Sequence, residues 1–265
     1  MISGFEHITA ATSLLIVVAG FAAGWIDAVV GGGGLLQLPA VLLIPGISPV
    51  QALATNKMGS IFGTTTSAVT YYGRVKPDLR TALPMAAVAM CGSVGGAALA
   101  ANLPASVFKP IIVAALVAVA LFTAFKPNIG EFTQLRHTGH RHYILACLIG
   151  GVIGVYDGMI GPGTGTFLII ALVSLMGYAF LEASAKAKIV NVATNAGALM
   201  FFLPHGSLLW GLGLVLGGAN MAGGYLGART AVKQGNKFIR VVFLVVVAAL
   251  IIKLGSDVWN ENIAA

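Results

Sequence analysis

Gly20-Phe-Ala-Ala-Gly-Trp-Ile-Asp27-Ala-Val-Val-Gly31-Gly-Gly33 is matched further along the chain by Gly150-Gly-Val-Ile-Gly-Val-Tyr-Asp157-Gly-Met-Ile-Gly161-Pro-Gly163. The aspartates and four glycines coincide at one offset (157 − 27 = 130). Beyond them, Lys57 of Ala54-Thr-Asn-Lys57 falls opposite Lys188 of Ala185-Lys-Ala-Lys188, and Gly95-Gly96-Ala falls opposite Gly223-Gly224-Tyr. The chain therefore reads as two copies of one unit, about 1–125 and 142–265, joined by a polar linker, 126–141.

Around these motifs the chain is apolar almost throughout. Hydrophobic residues make up 58% and charged residues only 9%, against about 25% charged in a soluble domain. With a mean hydropathy of +0.94, it cannot cover an aqueous surface, and its expected setting is the lipid bilayer. The net charge of +7 does not point to nucleic acid. The lysines and arginines lie in short loops between apolar runs, as in the cytoplasmic loops of membrane proteins. The opening Met-Ile-Ser-Gly-Phe-Glu-His-Ile-Thr lacks a basic region, so the first run reads as a retained helix and not a signal peptide. Cys91 and Cys147 lie in apolar stretches and read as small apolar filler, not a disulfide.

Ten apolar segments are discernible, at 8–30, 34–46, 50–72, 80–102, 105–125, 142–160, 165–178, 184–204, 207–229 and 238–255. Most reach the ~20 residues of a spanning helix. The second and seventh are short, and each follows a glycine cluster, Gly31 to Gly34 or Gly161-Pro-Gly-Thr-Gly165. Both are expected to be half-helices that start inside the membrane. If every segment crosses, the loop with Arg74, Lys76 and Arg80, the linker with Lys126, Arg136 and Arg141, and the turn with Arg229, Lys233, Lys237 and Arg240 share one side. The loops at 46–49, 102–105, 161–164 and 204–207 hold no Lys or Arg. The positive-inside rule then makes the basic side cytoplasmic and sends both termini outward. Five crossings per half turn the second copy upside down. The expected fold is thus an all-α integral membrane protein of two inverted repeats of about five segments each, a recurring transporter plan with the substrate near the midplane.

Three groups of residues could carry chemistry. Broken helices in lipid strand backbone N–H groups, tolerated only where protein or a cavity satisfies them. The N–H groups of Gly32 to Leu35 and of Gly163 to Thr166 are expected to point at one region. Added to the positive helix ends, they make an anion site without a cationic side chain. The alternative is that the glycines serve close helix packing. Second, Asp27, Lys57, Asp157 and Lys188 lie within apolar segments, where a charge costs several kcal/mol unless paired or wet. The lysines could neutralise an anion while an aspartate exchanges a proton. Alternatively, each repeat holds an internal Asp–Lys pair, Asp27 caps the nearby short helix, and Lys188, or more so Lys186, snorkels to the cytoplasmic face. Third, Thr55, Asn56, Ser60 and Thr64 to Thr66 flank Lys57. Asn191, Thr194 and Asn195 follow Lys188, and 188, 191 and 195 share a helical face. They would orient an oxyanion or bond helix to helix.

His137, His140 and His142 cluster in the linker beside Arg136 and Arg141. The cations disfavour a metal there, so a solvated loop is expected. The sequence has no phosphate-binding loop, nucleophile elbow or zinc-protease motif, and neither catalysis, cofactor nor metal is expected.

Asp27-Ala-Val-Val-Gly-Gly-Gly-Gly-Leu-Leu-Gln-Leu-Pro39, then Gln51-Ala-Leu-Ala-Thr-Asn-Lys57, the second glycine-rich copy, and Gly223-Gly-Tyr-Leu-Gly-Ala-Arg229 together resemble the sulfite exporter TauE/SafE family over nearly the whole chain. The resemblance implies a secondary transporter that moves sulfite, sulfoacetate or another organosulfonate across a prokaryotic cytoplasmic membrane, as an exporter. Pro162 and Thr164 replace glycines of the first copy, and Ala187 stands opposite Asn56, so the halves need not contribute equally. The expected substrate-binding set is Gly32, Gly33, Gly34, Asn56, Lys57, Gly163, Thr164, Gly165, Lys188, Asn191 and Asn195, with Asp27 and Asp157 as proton-coupling candidates. The expected partners are a small anion and the bilayer, with self-association open. A passive anion channel is the main alternative, and a non-transport assembly factor the remote one.

Overall fold

The computed structural model describes residues 10–102 and 132–263. The expected segment 105–125 and the first residues of the linker lie outside them. Among the described residues there is no strand. The elements are α1 (Ala10–Val30), α2 (Gly34–Leu42), α3 (Pro49–Val75), α4 (Leu79–Ala100), α5 (Gly139–Met159), α6 (Thr164–Ala171) running into a π-turn (Leu172–Met176), α7 (Phe180–Phe202) and α8 (Trp210–Ile263). The ninth and tenth expected segments are two helices within the span labelled α8, parted at Gly235, whose φ of 76° and ψ of −167° are not helical.

Local chemistry sets several boundaries. Helix α3 opens with a capping box: Gln51 N–H donates to Ser48 Oγ and Ser48 N–H to Gln51 Oε1, with Pro49 at the first helical position. A proline there gives up no intrahelical hydrogen bond and arrives with a helical φ. Asp78 caps α4, accepting from the Arg80 N–H and the Thr81 hydroxyl. Burial acts to raise the Asp78 pKa, but these hydrogen bonds and the nearby Lys186 charge outweigh it and hold the carboxyl below its ordinary value. The cap is thus fully charged at neutral pH and fails only as pH falls through that lowered value. Both short helices begin as expected, directly after their glycines. Nine residues of α2 span only ~14 Å at 1.5 Å per residue, about half the hydrocarbon core.

Burial is reversed relative to a soluble protein. Leu14 is 65% exposed and Val152 71%, whereas Lys57, Lys186 and Lys188 are each 1% exposed or less. Only an apolar surround makes that arrangement stable. Three helices, Ser13–Val30 within α1, α4 and α5, are long and apolar enough to cross a membrane by length and composition.

The interior has three layers. One apolar cluster gathers Val29, Met85, Ile149, Leu168, Leu172, Phe180 and Ile239. Another gathers Ile16, Leu38, Val41, Leu53, Ala97, Phe202 and Leu212. Between them lies a polar stratum with Asp27, Lys57, Asp157 and Lys188. Helix α2 contributes Leu38 and Val41 to the second cluster, and α6 contributes Leu168 and Ile169 to the first. Glycine allows the long helices to close around them: α1 packs on α8 through Gly24 and Gly223, and α4 on α5 through Gly96 and Gly158.

The loops carrying most of the basic residues converge at one end. Thr81, His142 and Tyr178 meet there, and the Leu181 N–H donates to Asn236 Oδ1. The linker docks too, with Gln134 N–H donating to Gly177 O and Arg136 N–H to Met176 O. Two expectations fail at this end. Lys186 does not snorkel: it is fully buried, bonded to Glu182 at 2.9 Å and set over the Tyr178 ring. His142 is not solvated: it is 6% exposed. Its Nδ1–H donates to the His137 carbonyl, and its Nε2 lies 2.9 Å from Tyr178 Oη and 3.1 Å from Thr81 Oγ1. A docked linker brings acceptors and donors to a ring that the bare sequence leaves in water. His142→Leu strands the Tyr178 hydroxyl and is expected to lower stability by about 1–3 kcal/mol, measured as a fall in the detergent-solubilised unfolding midpoint. His137→Leu and His140→Leu, at exposed positions, are expected to leave it unchanged.

Candidate functional site

The site begins with the two chain breaks. Gly31, at φ +84°, ends α1. A Cβ there would lie 2.1 Å from the Gly165 carbonyl carbon, so the two glycine clusters meet backbone to backbone. The Thr166 N–H donates to Gly31 O at 3.3 Å and the Thr166 hydroxyl to Val30 O at 2.9 Å. On the other side a Cβ on Gly34 would lie 3.2 Å from Pro162 Cα. Tyr156 Oη donates to Pro162 O at 2.6 Å, holding the second break against its own helix.

The amide groups are not all free. Of the eight from Gly32 to Leu35 and Gly163 to Thr166, three are taken: Leu35 donates to Gly32 O, Thr164 to Gly161 O and Thr166 to Gly31 O. Gly32, Gly33, Gly34, Gly163 and Gly165 retain N–H groups with no acceptor among the described residues. Such unpaired donors at the start of a helix are where an anion is stabilised.

A cavity of about 20 Å³ lies at this junction, lined by Asp27, Gly31, Gly34, Asn56, Lys57, Ser60, Thr64, Asp157, Gly161, Thr164, Gly165, Asn191 and Asn195. That is room for about one water. Most of the expected site residues are therefore brought together, and four are not. Gly32 and Gly163 do not line the cavity. Gly33 packs against the Ala23 carbonyl and the Asp27 Cβ. Lys188 sits behind Asp27, away from the cavity wall. Lys57 is thus the one cation in the lining among the described residues. Ser60 and Thr64 join it from α3, opposite Asn191 and Asn195 from α7. They had a sequence signal, since they match those asparagines at the lysines' own offset (191 − 60 = 131).

The charges pair across the halves, not within them. Lys57 Nζ lies 2.7 Å from Asp157 Oδ2, and Lys188 Nζ 2.8 Å from Asp27 Oδ2. Lys188 also donates to the Asp27 backbone carbonyl. Pairing within each repeat is therefore ruled out, as is Asp27 capping α2: the N-cap is Gly33 and no side chain caps it. Lys188 does not snorkel either. One ion pair joins α3 to α5 and the other α1 to α7, so the four charges cancel and tie these helices together.

Hydrogen-bond capacity is left over. Asn56 Oδ1 and Asn191 Oδ1 are buried without a partner. Their Nδ2 atoms face the two helix starts, 3.8 Å and 3.0 Å from where a Cβ on Gly34 and on Gly165 would stand. Buried polar groups are ordinarily satisfied, so unpaired amides beside unpaired helix N–H groups mark a place where a polar ligand completes the bonding. Gln37, in the middle of α2 and fully buried, anchors that helix by accepting from Asn220 Nδ2 at 2.5 Å and donating to Asn56 O at 3.2 Å.

An apolar periphery, ion pairs in the interior, and two broken helices meeting end to end at a polar cavity define a helical membrane transporter. The family model described as sulfite exporter TauE/SafE matches residues 16–254, and the chain belongs to this family. It is 39% identical over 242 residues to a protein of Sinorhizobium sp named probable membrane transporter protein ORF9, covering 91% of this chain and 92% of that protein. It is 33% identical over 264 residues to the Escherichia coli K12 protein named probable membrane transporter protein YfcA, covering 98% and 96%. A Haemophilus influenzae protein named probable membrane transporter protein is 30% identical over 243 residues, covering 92% and 94%. No solved structure matches the chain.

Proposed function

We propose that the protein is an alternating-access carrier of a small sulfur-containing anion, such as sulfite, sulfoacetate or another organosulfonate, working as an exporter in the cytoplasmic membrane of a prokaryote. One observation carries this reading: two helix starts with unpaired N–H groups face one cavity that holds Lys57 and the Nδ2 donors of Asn56 and Asn191. An SOn group offers several acceptors to those donors, and its charge suits the positive helix ends. The unit is two inverted repeats, 1–125 and 142–265, of about five crossings each around the 126–141 linker. The crossed Lys–Asp pairs support this, as does the Asn195 Nδ2 bond to Thr64 Oγ1 at 3.4 Å. Those two residues are sequence equivalents (195 − 64 = 131), as expected of groups beside a pseudo-twofold axis. The basic loops at one end support a cytoplasmic assignment of that end, with both termini outside.

The cavity as it stands is too small for such an anion. A resting site that must widen to admit its substrate favours a carrier over a passive pore. In transport, Gly34, Gly165, Asn56 and Asn191 contact the substrate oxygens and Lys57 supplies charge. Gly32, Gly33 and Gly163 shape the breaks, and Lys188 tunes Asp27. Asp27 and Asp157 are the candidates to link transport to a proton gradient.

Thermal-shift screening of the purified protein tests the ligand class. Sulfite, methanesulfonate or sulfoacetate at a hundred times Kd is expected to stabilise it by about 2.7 kcal/mol, a midpoint rise of several degrees. Chloride at equal ionic strength is expected to give none. An identical response to all anions would remove the proposed selectivity. Saturable flux that never runs against a gradient, even with a proton gradient imposed, would mark a facilitator.

A further inference from the structure

We infer that the two sequence-equivalent aspartates have different jobs: Asp157 takes up the proton that accompanies the anion, while Asp27 stays ionised as half of a permanent clasp with Lys188. The inference rests on the anion-carrier reading for its context and on local geometry for the assignment.

The two pairs differ in how they are bonded. Lys188 donates an aligned hydrogen bond to Asp27 Oδ2 at 2.8 Å and a second to the Asp27 carbonyl, both to one residue. Its ammonium lies outside the cavity wall. Lys57 reaches Asp157 Oδ2 at 2.7 Å, and among the described residues it has no second bond to Asp157. Both Lys57 and Asp157 line the cavity. The Lys57 ammonium also lies 2.8 Å from where a Cβ on Gly161 would stand, against the break that precedes α6. It therefore touches both the carboxylate and the gap a substrate enters.

Charge balance supplies the rest. Lys57, Lys188, Asp27 and Asp157 sum to zero. A monoanion entering this stratum leaves one uncompensated negative charge in a medium of low dielectric, which is strongly unfavourable. One proton on Asp157 Oδ2 restores neutrality and releases Lys57 from its partner to face the anion. Protonating Asp27 would restore neutrality equally well. It would free Lys188, however, which has no access to the cavity and keeps a second bond to the Asp27 backbone. The groups facing Asp157 are Lys57 from α3, Tyr156 on its own helix with its hydroxyl committed to Pro162 O, and Asp27 from α1 across the cavity. Among the described residues the lining contains no histidine to take the proton instead. One proton thus moves with each monoanion, the cycle carries no net charge, and net export requires an outward anion gradient larger than the inward proton gradient.

Infrared titration of the substrate-free protein in lipid tests the assignment without any ligand. On acidification, the protonated-carboxyl band that is missing in Asp157→Asn is expected to rise before the band missing in Asp27→Asn. Where Asp157→Asn does not fold, Asp157→Glu, which keeps the acid and shifts its band, identifies the residue. If Asp27 titrates first, the inference is overturned. A second measurement uses proteoliposomes with labelled sulfite as the probe. With accumulation normalised to the sulfite–sulfite exchange of the same variant, Asp157→Asn is expected to lose at least ten-fold of the accumulation driven by a pH gradient, whereas Asp27→Asn retains the response to that gradient. Undiminished accumulation in Asp157→Asn would also overturn the inference. Wild-type protein that titrates as described yet moves no sulfite would leave the residue assignment standing and sink the sulfur-anion reading.

Discussion

Lys57→Ala is expected to abolish anion flux and to lower the stability of the protein by about 3–5 kcal/mol, the usual cost of removing one partner from a buried ion pair. The side chain is among the largest fully buried ones and is the one cation on the cavity wall among the described residues. Truncation does three things at once. It leaves Asp157 ionised in low dielectric, it opens a void against Gly161, and it removes the charge offered to the substrate. Stability and transport can be separated with the pair variant Lys57→Met with Asp157→Asn. Replacing both charges by neutral groups of similar size removes the desolvation penalty, so stability is expected to return to within about 1 kcal/mol of wild type. Flux is expected to stay at least ten-fold down in both variants. Unfolding midpoints in detergent and labelled-anion uptake in proteoliposomes measure the two effects. Wild-type flux in the pair variant would remove Lys57 from the transport cycle.

Gly31→Ala is the second large effect, and it comes from the backbone. Its φ of +84° costs an L-residue about 1–2 kcal/mol. The added Cβ would also stand 2.1 Å from Gly165 C and 2.3 Å from Thr166 N. Those are main-chain atoms of the second break, so no side-chain rotation relieves the overlap. The two half-helix starts must separate, giving up the Thr166 bonds to Val30 and Gly31. A total loss of about 3 kcal/mol or more is expected from the strain and the overpacking combined, together with loss of flux. Gly46→Ala is the control. Its φ is +83°, but nothing lies within 4 Å of a Cβ there, so it should show the conformational cost alone, about 1–2 kcal/mol. Equal effects at the two positions would mean that the contact between the breaks contributes nothing.

Much of the site can be read from the chain. The glycine runs after Asp27 and Asp157 stand out because lipid penalises broken backbone. The four intramembrane charges stand out because lipid penalises them too. Both short helices begin where those runs predict. Ser60 and Thr64 could have been placed beside Asn191 and Asn195 by extending the lysine offset. Other features had no local signal. The burial of His142 depends on Thr81 and Tyr178, which approach from α4 and from the turn before α7. Lys186 is drawn inward by Glu182 and the Tyr178 ring, although its place near a helix end suggests an exit to the interface.

The sequence by itself determined that this chain lives in lipid, where its helices break, and which charged residues stand inside. Each of these follows from composition, periodicity and the cost of a polar group at a given position along one helix. Tertiary structure alone decided that Lys57 faces Asp157 and Lys188 faces Asp27, that only the first of those lysines reaches the cavity, and that Gly31 rests on Gly165. Such partnerships join points more than a hundred residues apart. They are set by how one half docks on the other, and side-chain spacing within a helix carries no record of that docking.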